Sequence, residues 1–268
     1  MNTFKHSIIL IIAGCTLNCY SQQDGFSWPG GAKAAVCLTY DDGIDSQLNI
    51  AIPDLEKEHL RGTFYIEGRN LTPERIGRWK EVAGNGHELG NHTIFHPCSE
   101  KLNFIRKEFA SENYTVNRFL KELAVMNNFL YAVDGKKSRS FAYTCGETIY
   151  GGISVIDTLR ASGLFPGIRG GSPEVVRDMR TLDLFNIPSF VSLDETADKM
   201  IPYVEEAGKV GGMAVFMFHG VGGDYLSISR EAHYKLLSYL NKNRKDYWTA
   251  PFLEVVEHII AERKRLGW

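Results

Sequence analysis

Short apolar runs alternate along this chain with amphipathic stretches long enough for helices, and that alternation most restricts the fold. Ala34–Tyr40, Thr63–Ile66, 87–91, 140–142, 164–168, Met213–Phe218 and Tyr247–Thr249 read as strands. Between and after them, 47–59, Thr72 to about Ala83, about Asn103–Phe129, 153–162, 195–207, 229–241 and 251–263 read as helices. Thr72-Pro73 is a helix start, a capping hydroxyl followed by proline at the first helical position. Strands joined to helices by short loops pack as a parallel sheet with helical crossovers. No linker, repeat or low-complexity tract divides the 268 residues, so one α/β domain is expected, open or closed into a barrel.

Composition adds limits. A hydrophobic content of 44% with 23% charged residues is that of a globular protein with a sizeable core. A formal net charge of -2 gives no electrostatic footprint for nucleic acid. The one basic cluster, Arg263-Lys264-Arg265, ends a helical pattern and complements its dipole.

Residues 1–21 read as an export signal and not as part of the fold. Lys5 and His6 precede an apolar run at 8–13 that is too short to span a bilayer. Two processing sites compete. Ile12-Ala13-Gly14-Cys15 looks like a lipobox, which would put a lipid anchor on Cys15, whereas Cys19-Tyr20-Ser21 suits ordinary signal peptidase. The expected location is the periplasm, cell surface or exterior of a bacterium, with 22–32 a lead-in and 33–268 the folded domain. Cleavage near Ser21 leaves Cys37, Cys98 and Cys145, enough for one internal bridge and a free thiol. Cys37 sits in an apolar strand; a Cys98–Cys145 bridge and two unpaired thiols both fit the spacing.

Polar motifs follow the strand ends, where parallel α/β folds collect their active-site residues. Asp41-Asp42-Gly43 after the first strand is alone a common surface turn. Two adjacent carboxylates at the end of an apolar strand repel, however, unless a cation or proton intervenes. His92 and His96, four residues apart, have the spacing of a metal-ligand pair; Pro97 makes their segment a loop or single turn. One carboxylate with two neutral imidazoles leaves coordination positions open for water and substrate. That suits Zn²⁺, and Co²⁺ or another first-row ion fits the same donors. The second aspartate is then placed as general base, and His219, after the Met213–Phe218 strand, as general acid. His87, entering its strand, reads as a buried structural residue.

With these motifs in order, the chain resembles the polysaccharide deacetylases of the NodB-homology domain, carbohydrate esterase family 4. Tyr40-Asp41-Asp42-Gly43 matches the Phe-Asp-Asp-Gly part of that family's first motif apart from Tyr40. His92–Pro97 matches its His-Ser/Thr-x-x-His-Pro motif, and Phe218-His219 its late Leu-His motif. The resemblance spans about residues 33–262 and implies a distorted (β/α) barrel with fewer than eight repeats. It assigns metal ligation to Asp42, His92 and His96, the base to Asp41 and the acid to His219. It also implies an acetylated glycan as substrate, with acetate released. Phe141-Ala142-Tyr143-Thr144-Cys145-Gly146 departs from the family's Phe-Arg-Pro-Pro-Tyr-Gly. The arginine that orients the base is Ala142 here, and the oxyanion N–H falls at Cys145. Arg169, in the Gly167–Gly171 turn, is the candidate replacement, and Asp183 a candidate to orient His219. The altered motif keeps a second reading open, a catalytically decayed glycan-binding protein on the same scaffold. A non-haem iron oxygenase shares the two-His-one-carboxylate set, but its ligand order and all-β scaffold differ. Trp28 and Trp79 are candidate sugar-stacking platforms.

Overall fold

A computed structural model describes residues 25–268; the export signal expected at 1–21, with Cys15 and Cys19, lies outside them. In chain order the elements are β1 (Ala34–Asp41), α1 (Ile52–Lys57), β2 (Thr63–Ile66), α2 (Pro73–Gly84), β3 (Glu88–Asn91) and α3 (Val116–Asp134). Next come β4 (Phe141–Ala142), β5 (Ile149–Tyr150), β6 (Ile153–Ser154), α4 (Ile156–Ser162), β7 (Ile168–Arg169) and β8 (Phe190–Val191). The last are α5 (Ala197–Val210), β9 (Met213–Phe218), α6 (Arg230–Lys242), β10 (Tyr247–Thr249) and α7 (Phe252–Leu266).

β1 is buried along its whole length because both its edges and both its faces are covered. The main sheet runs β7-β4-β3-β2-β1-β9-β8, with β10 paired to the start of β1. All these pairings are parallel. Its two ends approach each other through Ile187, just ahead of β8. The Ile187 N–H donates to Ile168 O at 2.9 Å, and the Gly170 N–H to Ile187 O at 2.8 Å. Strand twist and this bridge curl the sheet into a distorted (β/α) barrel, with seven α-helices among the described residues and none between β7 and β8.

Side chains alternate across β1 with period two. Val36, Leu38 and Tyr40 pack outward against Val204, Ala207 and Leu236 of the helices. Ala35 and Cys37 point the other way, into a second cluster with Val215 and with Phe252 and Val256 of α7. Each such buried aliphatic side chain contributes about 1.5–3 kcal/mol. Thr39 and Asp41 continue the inner row, so the barrel interior turns polar toward the C-terminal strand ends.

The long helix expected from about Asn103 starts only at Val116, where Thr115 caps it by accepting from the Arg118 N–H at 3.1 Å. The preceding residues are held as a loop instead. Glu112 accepts from Ser99 Oγ at 2.7 Å and from the Glu100 N–H at 2.9 Å, and the Ser111 N–H donates to Cys98 O at 2.8 Å. The helix expected from Ile153 starts at Ile156, because Gly151 and Gly152, both at positive φ, turn β5 back onto β6. Trp28 and Trp79 are both buried core residues, and the Trp28 indole donates to Gly211 O at 3.1 Å. Neither offers a face to a sugar.

Candidate metal centre

Asp42 leaves the end of β1 at positive φ (74°), with Gly43 next at 63°. Both carboxylates are buried at this strand end instead of facing solvent. His92 follows β3 directly. Its Nδ1 lies 2.9 Å from Ala142 O, and donating there leaves the Nε2 lone pair facing Asp42 Oδ1 at 3.3 Å. His96 sits on a turn at φ 51°, with its N–H on Thr93 Oγ1 at 2.9 Å; its Nε2 is 3.2 Å from the same Asp42 oxygen. The His-x-x-x-His pair therefore converges from a strand end and a loop, and not from one helix face.

These three donor atoms lie within 4.8 Å of one another. Asp42 Oδ1 makes contacts there but no directed hydrogen bond and is buried. Lone pairs of a carboxylate and two imidazoles that converge on one point repel unless a cation or proton lies between them. One oxygen and two nitrogens are the donors a first-row divalent ion takes, so the residues fit such an ion. Burial opposes the charge on Asp42, yet contacts to His92 and His96 hold its carboxyl well below the ordinary carboxylate range. Burial opposes protonation of His92 too, but the charges of Asp41 and Asp42 outweigh it and raise its pKa. A second cluster, His96 with Cys98 and Cys145, is no thiolate site because the cysteines are bonded as a disulfide.

Asp41 lies beside this centre, 4.0 Å from His92 Nε2. Its Oδ2 is 2.5 Å from Arg169 Nη2, while its Oδ1 is buried with no hydrogen-bond partner. Arg169 is itself buried; Nη1 donates to Thr39 Oγ1 at 3.2 Å, and the guanidinium lies over the Tyr65 ring at 5.1 Å. β4 and β7 pair so that Ala142 stands opposite Arg169.

Residues 29–155 match the family model described as polysaccharide deacetylase. These residues belong to the polysaccharide deacetylase family. The peptidoglycan-N-acetylglucosamine deacetylase of Bacillus cereus is 36% identical over 95 residues, 34% of this chain and 33% of that protein. The chitooligosaccharide deacetylase of Rhizobium leguminosarum bv. trifolii is 28% identical over 115 residues, 40% of this chain and 51% of that protein. The chain thus spans a third to about half the length of these curated relatives. In fold it is similar to the peptidoglycan deacetylase PdaC of Bacillus subtilis, with a TM-score of 0.53 and 16% identity over 87% of this chain and 95% of that one.

A cavity of about 660 Å³ opens over the Asp41–Asp42 turn. His219, after β9, lines it with Nε2 3.9 Å from Asp42 Oδ2, and burial lowers its pKa. Its backbone carbonyl is fixed by the Gln47 side-chain amide at 3.1 Å. Cys145 is on the cavity wall at φ 53°, bonded to Cys98, whose Sγ is 3.3 Å from His96 Nδ1. Cys37 is the free, buried thiol among the described residues.

The expectation that Asp183 orients His219 is not met. Asp183 faces outward, with both oxygens 2.9 Å from Arg160 Nη2. His87 is buried away from the cavity, accepting the Gly62 N–H at 3.0 Å.

Glu67 and Tyr225 are among the wall residues that no sequence motif marked. Glu67, after β2, is buried and paired with Arg69. Tyr225 sends its hydroxyl to Asp42 Oδ2 at 2.8 Å. The Gly220–Asp224 stretch after His219 was the available signal for the second. No helix of the described residues is long and apolar enough to cross a membrane.

Proposed function

We propose that this chain is an exported, metal-dependent hydrolase that removes N- or O-acetyl groups from a glycan. The observation that carries the reading is the convergence of Asp42 Oδ1, His92 Nε2 and His96 Nε2 beside the unpartnered Oδ1 of Asp41. Asp42, His92 and His96 would hold the ion, Zn²⁺ by its donor set, with Co²⁺ next. Bound there, it supplies Lewis acidity to the acyl carbonyl.

Asp41 takes a proton from the attacking water with Oδ1, while Arg169 holds Oδ2 and fixes the direction of the carboxylate. The N–H of Cys145, on the cavity wall, is the proposed donor to the oxyanion. His219 in its protonated form delivers a proton to the departing sugar nitrogen or oxygen and is reprotonated from solvent, while Asp41 releases its proton to solvent; the products are acetate and the deacetylated sugar. The names of the relatives, one acting on peptidoglycan and one on chitooligosaccharides, support a glycan substrate.

Metal analysis together with acetate release from chitooligosaccharide, peptidoglycan fragments and acetylxylan tests this. Asp42→Ala and His92→Ala should lose both metal and activity, whereas Asp41→Asn should keep metal and lose turnover. Full turnover by Asp41→Asn would remove the assigned base. Metal retention with no acetate from any substrate would favour the glycan-binding reading that Ala142 raised.

A further inference from the structure

We infer that Tyr225 is a positioning residue for the metal centre, holding Asp42 so that only one carboxylate oxygen faces the ion. The inference rests on the reading of Asp42 as a metal ligand. Asp42 divides its oxygens between two environments. Oδ1 faces the imidazoles of His92 and His96 at 3.3 and 3.2 Å, and Oδ2 accepts from the Tyr225 hydroxyl at 2.8 Å. A carboxylate pinned on one oxygen cannot rotate to present both to a cation. One-oxygen ligation leaves positions open for water and substrate, as a catalytic site requires.

The loop that carries Tyr225 is built around that aim. Tyr225 stands between Asp224 at φ 60° and Leu226 at φ 46°, conformations in which a side chain is disfavoured, Leu more than Asp. Such backbone persists only where the surroundings over-determine it. Here the Gly220 N–H donates to Tyr225 O at 3.2 Å, and the Ile228 N–H to Gly220 O at 3.0 Å. A Cβ at Gly220 would lie 2.1 Å from Gly223 O, so the first loop position admits glycine alone. The loop is also tied to the segment that carries the aspartates. The Ser46 N–H donates to Asp224 Oδ2 at 2.6 Å, and the Val221 N–H to Ser46 Oγ at 3.2 Å. The turn bearing Asp42 and the loop bearing Tyr225 are thus one hydrogen-bonded assembly. Tyr225 also lines the substrate cavity beside His219, with ring centroids 6.4 Å apart.

Tyr225→Phe keeps the ring and removes only the hydroxyl. Apo protein, stripped with a chelator, is titrated with Zn²⁺ against a competing chromophoric chelator for wild type, Tyr225→Phe and Asp42→Ala. The thermal midpoint of each apo form is read in parallel. Tyr225→Phe should keep the wild-type apo midpoint and bind Zn²⁺ roughly 10- to 100-fold more weakly. Asp42→Ala should lose the site. Wild-type Zn²⁺ affinity in Tyr225→Phe, with the site lost in Asp42→Ala, would overturn the inference and leave the metal reading intact. Equal Zn²⁺ binding by wild type and Asp42→Ala would take down both. A lowered apo midpoint in Tyr225→Phe with unchanged Zn²⁺ affinity would make the tyrosine a packing residue and also overturn it.

Discussion

Ala142 and Arg169 are register partners on neighbouring parallel strands, β4 and β7, at the end of the barrel where the carboxylates gather. Partners in a parallel pair point to the same side of the sheet. The guanidinium that the family motif would place at Ala142 therefore enters the same space from one strand away. The methyl of Ala142 leaves room for it. Arg169 then spans to Thr39 Oγ1 and Asp41 Oδ2, both on the inner face of β1.

Replacing Arg169 should damage turnover and stability together. Arg169→Met leaves the buried Asp41 carboxylate without its cation, a change that typically costs about 3–5 kcal/mol. Loss of an oriented base should lower acetate release roughly 100-fold or more, with metal content unchanged. Returning the guanidinium to β4 in the double variant Ala142→Arg/Arg169→Ala should recover part of both losses. Steady-state acetate release and urea unfolding check this, and undiminished turnover in Arg169→Met would sink it.

Two histidines outside the metal centre set an acid limit. Burial holds His87 and His233 neutral, each lowered to about 4. Their partners suit neutral rings: the Gly62 N–H donates to His87 Nδ1, and the Tyr40 hydroxyl lies 2.7 Å from His233 Nε2. Between pH 6.5 and 4 the unfolded chain binds protons at these rings and the folded chain does not. Stability is therefore full above the unfolded value and falls as the pH drops through that window, on the order of 3 kcal/mol per histidine. Unfolding free energies measured from pH 7 to 4.5 should show this slope. A His87→Gln/His233→Gln variant, less stable at neutral pH, should give a flatter curve.

Strand-end motifs were legible because a polar residue directly after an apolar run has few places to go in a parallel α/β fold. Arg169 was legible as a charged residue between glycines at the end of an apolar run, although it lies within β7 and not in a turn after it. What failed had no local signature. β8 is two residues long, too short for any period to register, and its closure with β7 depends on Ile187, distant in sequence from both β4 and β1. Phe104, Ile105 and Phe109 mimic helical spacing, yet Glu112 and Cys98 hold their segment as a loop. The Asp183 expectation failed because Arg160, one turn into a short helix, captures that carboxylate at the surface. Tyr225 depends on a fold-level approach between the loop after His219 and the turn after Asp41.

Phe104 should bind the sugar without touching the chemistry. It lines the cavity yet is 69% exposed, whereas Trp28 and Trp79 are buried in the cores. An exposed ring at a cavity mouth offers its face to the C–H face of a pyranose. Phe104→Ala should raise KM for an oligosaccharide several-fold and leave kcat unchanged, the pattern of lost uniform binding. Equal KM values for Phe104→Ala and wild type would remove Phe104 from the binding surface.

The Cys98–Cys145 bridge should couple stability to the geometry of the centre. It spans 47 residues, and the chain-entropy model gives about 4 kcal/mol for a loop of that size. It also joins the turn that carries His96 to the cavity-wall residue Cys145, with Cys98 Sγ against His96 Nδ1 at 3.3 Å. A phosphine reductant should therefore lower the thermal midpoint of the wild type and weaken its Zn²⁺ binding. A Cys98→Ser/Cys145→Ser variant should start at the lowered midpoint and not respond to reductant. Cys37 is buried in the core, so it should not contribute to the response. A wild-type midpoint that reductant leaves unmoved, while thiol titration shows the bridge has opened, would mean that the turn around His96 is held by its backbone contacts alone.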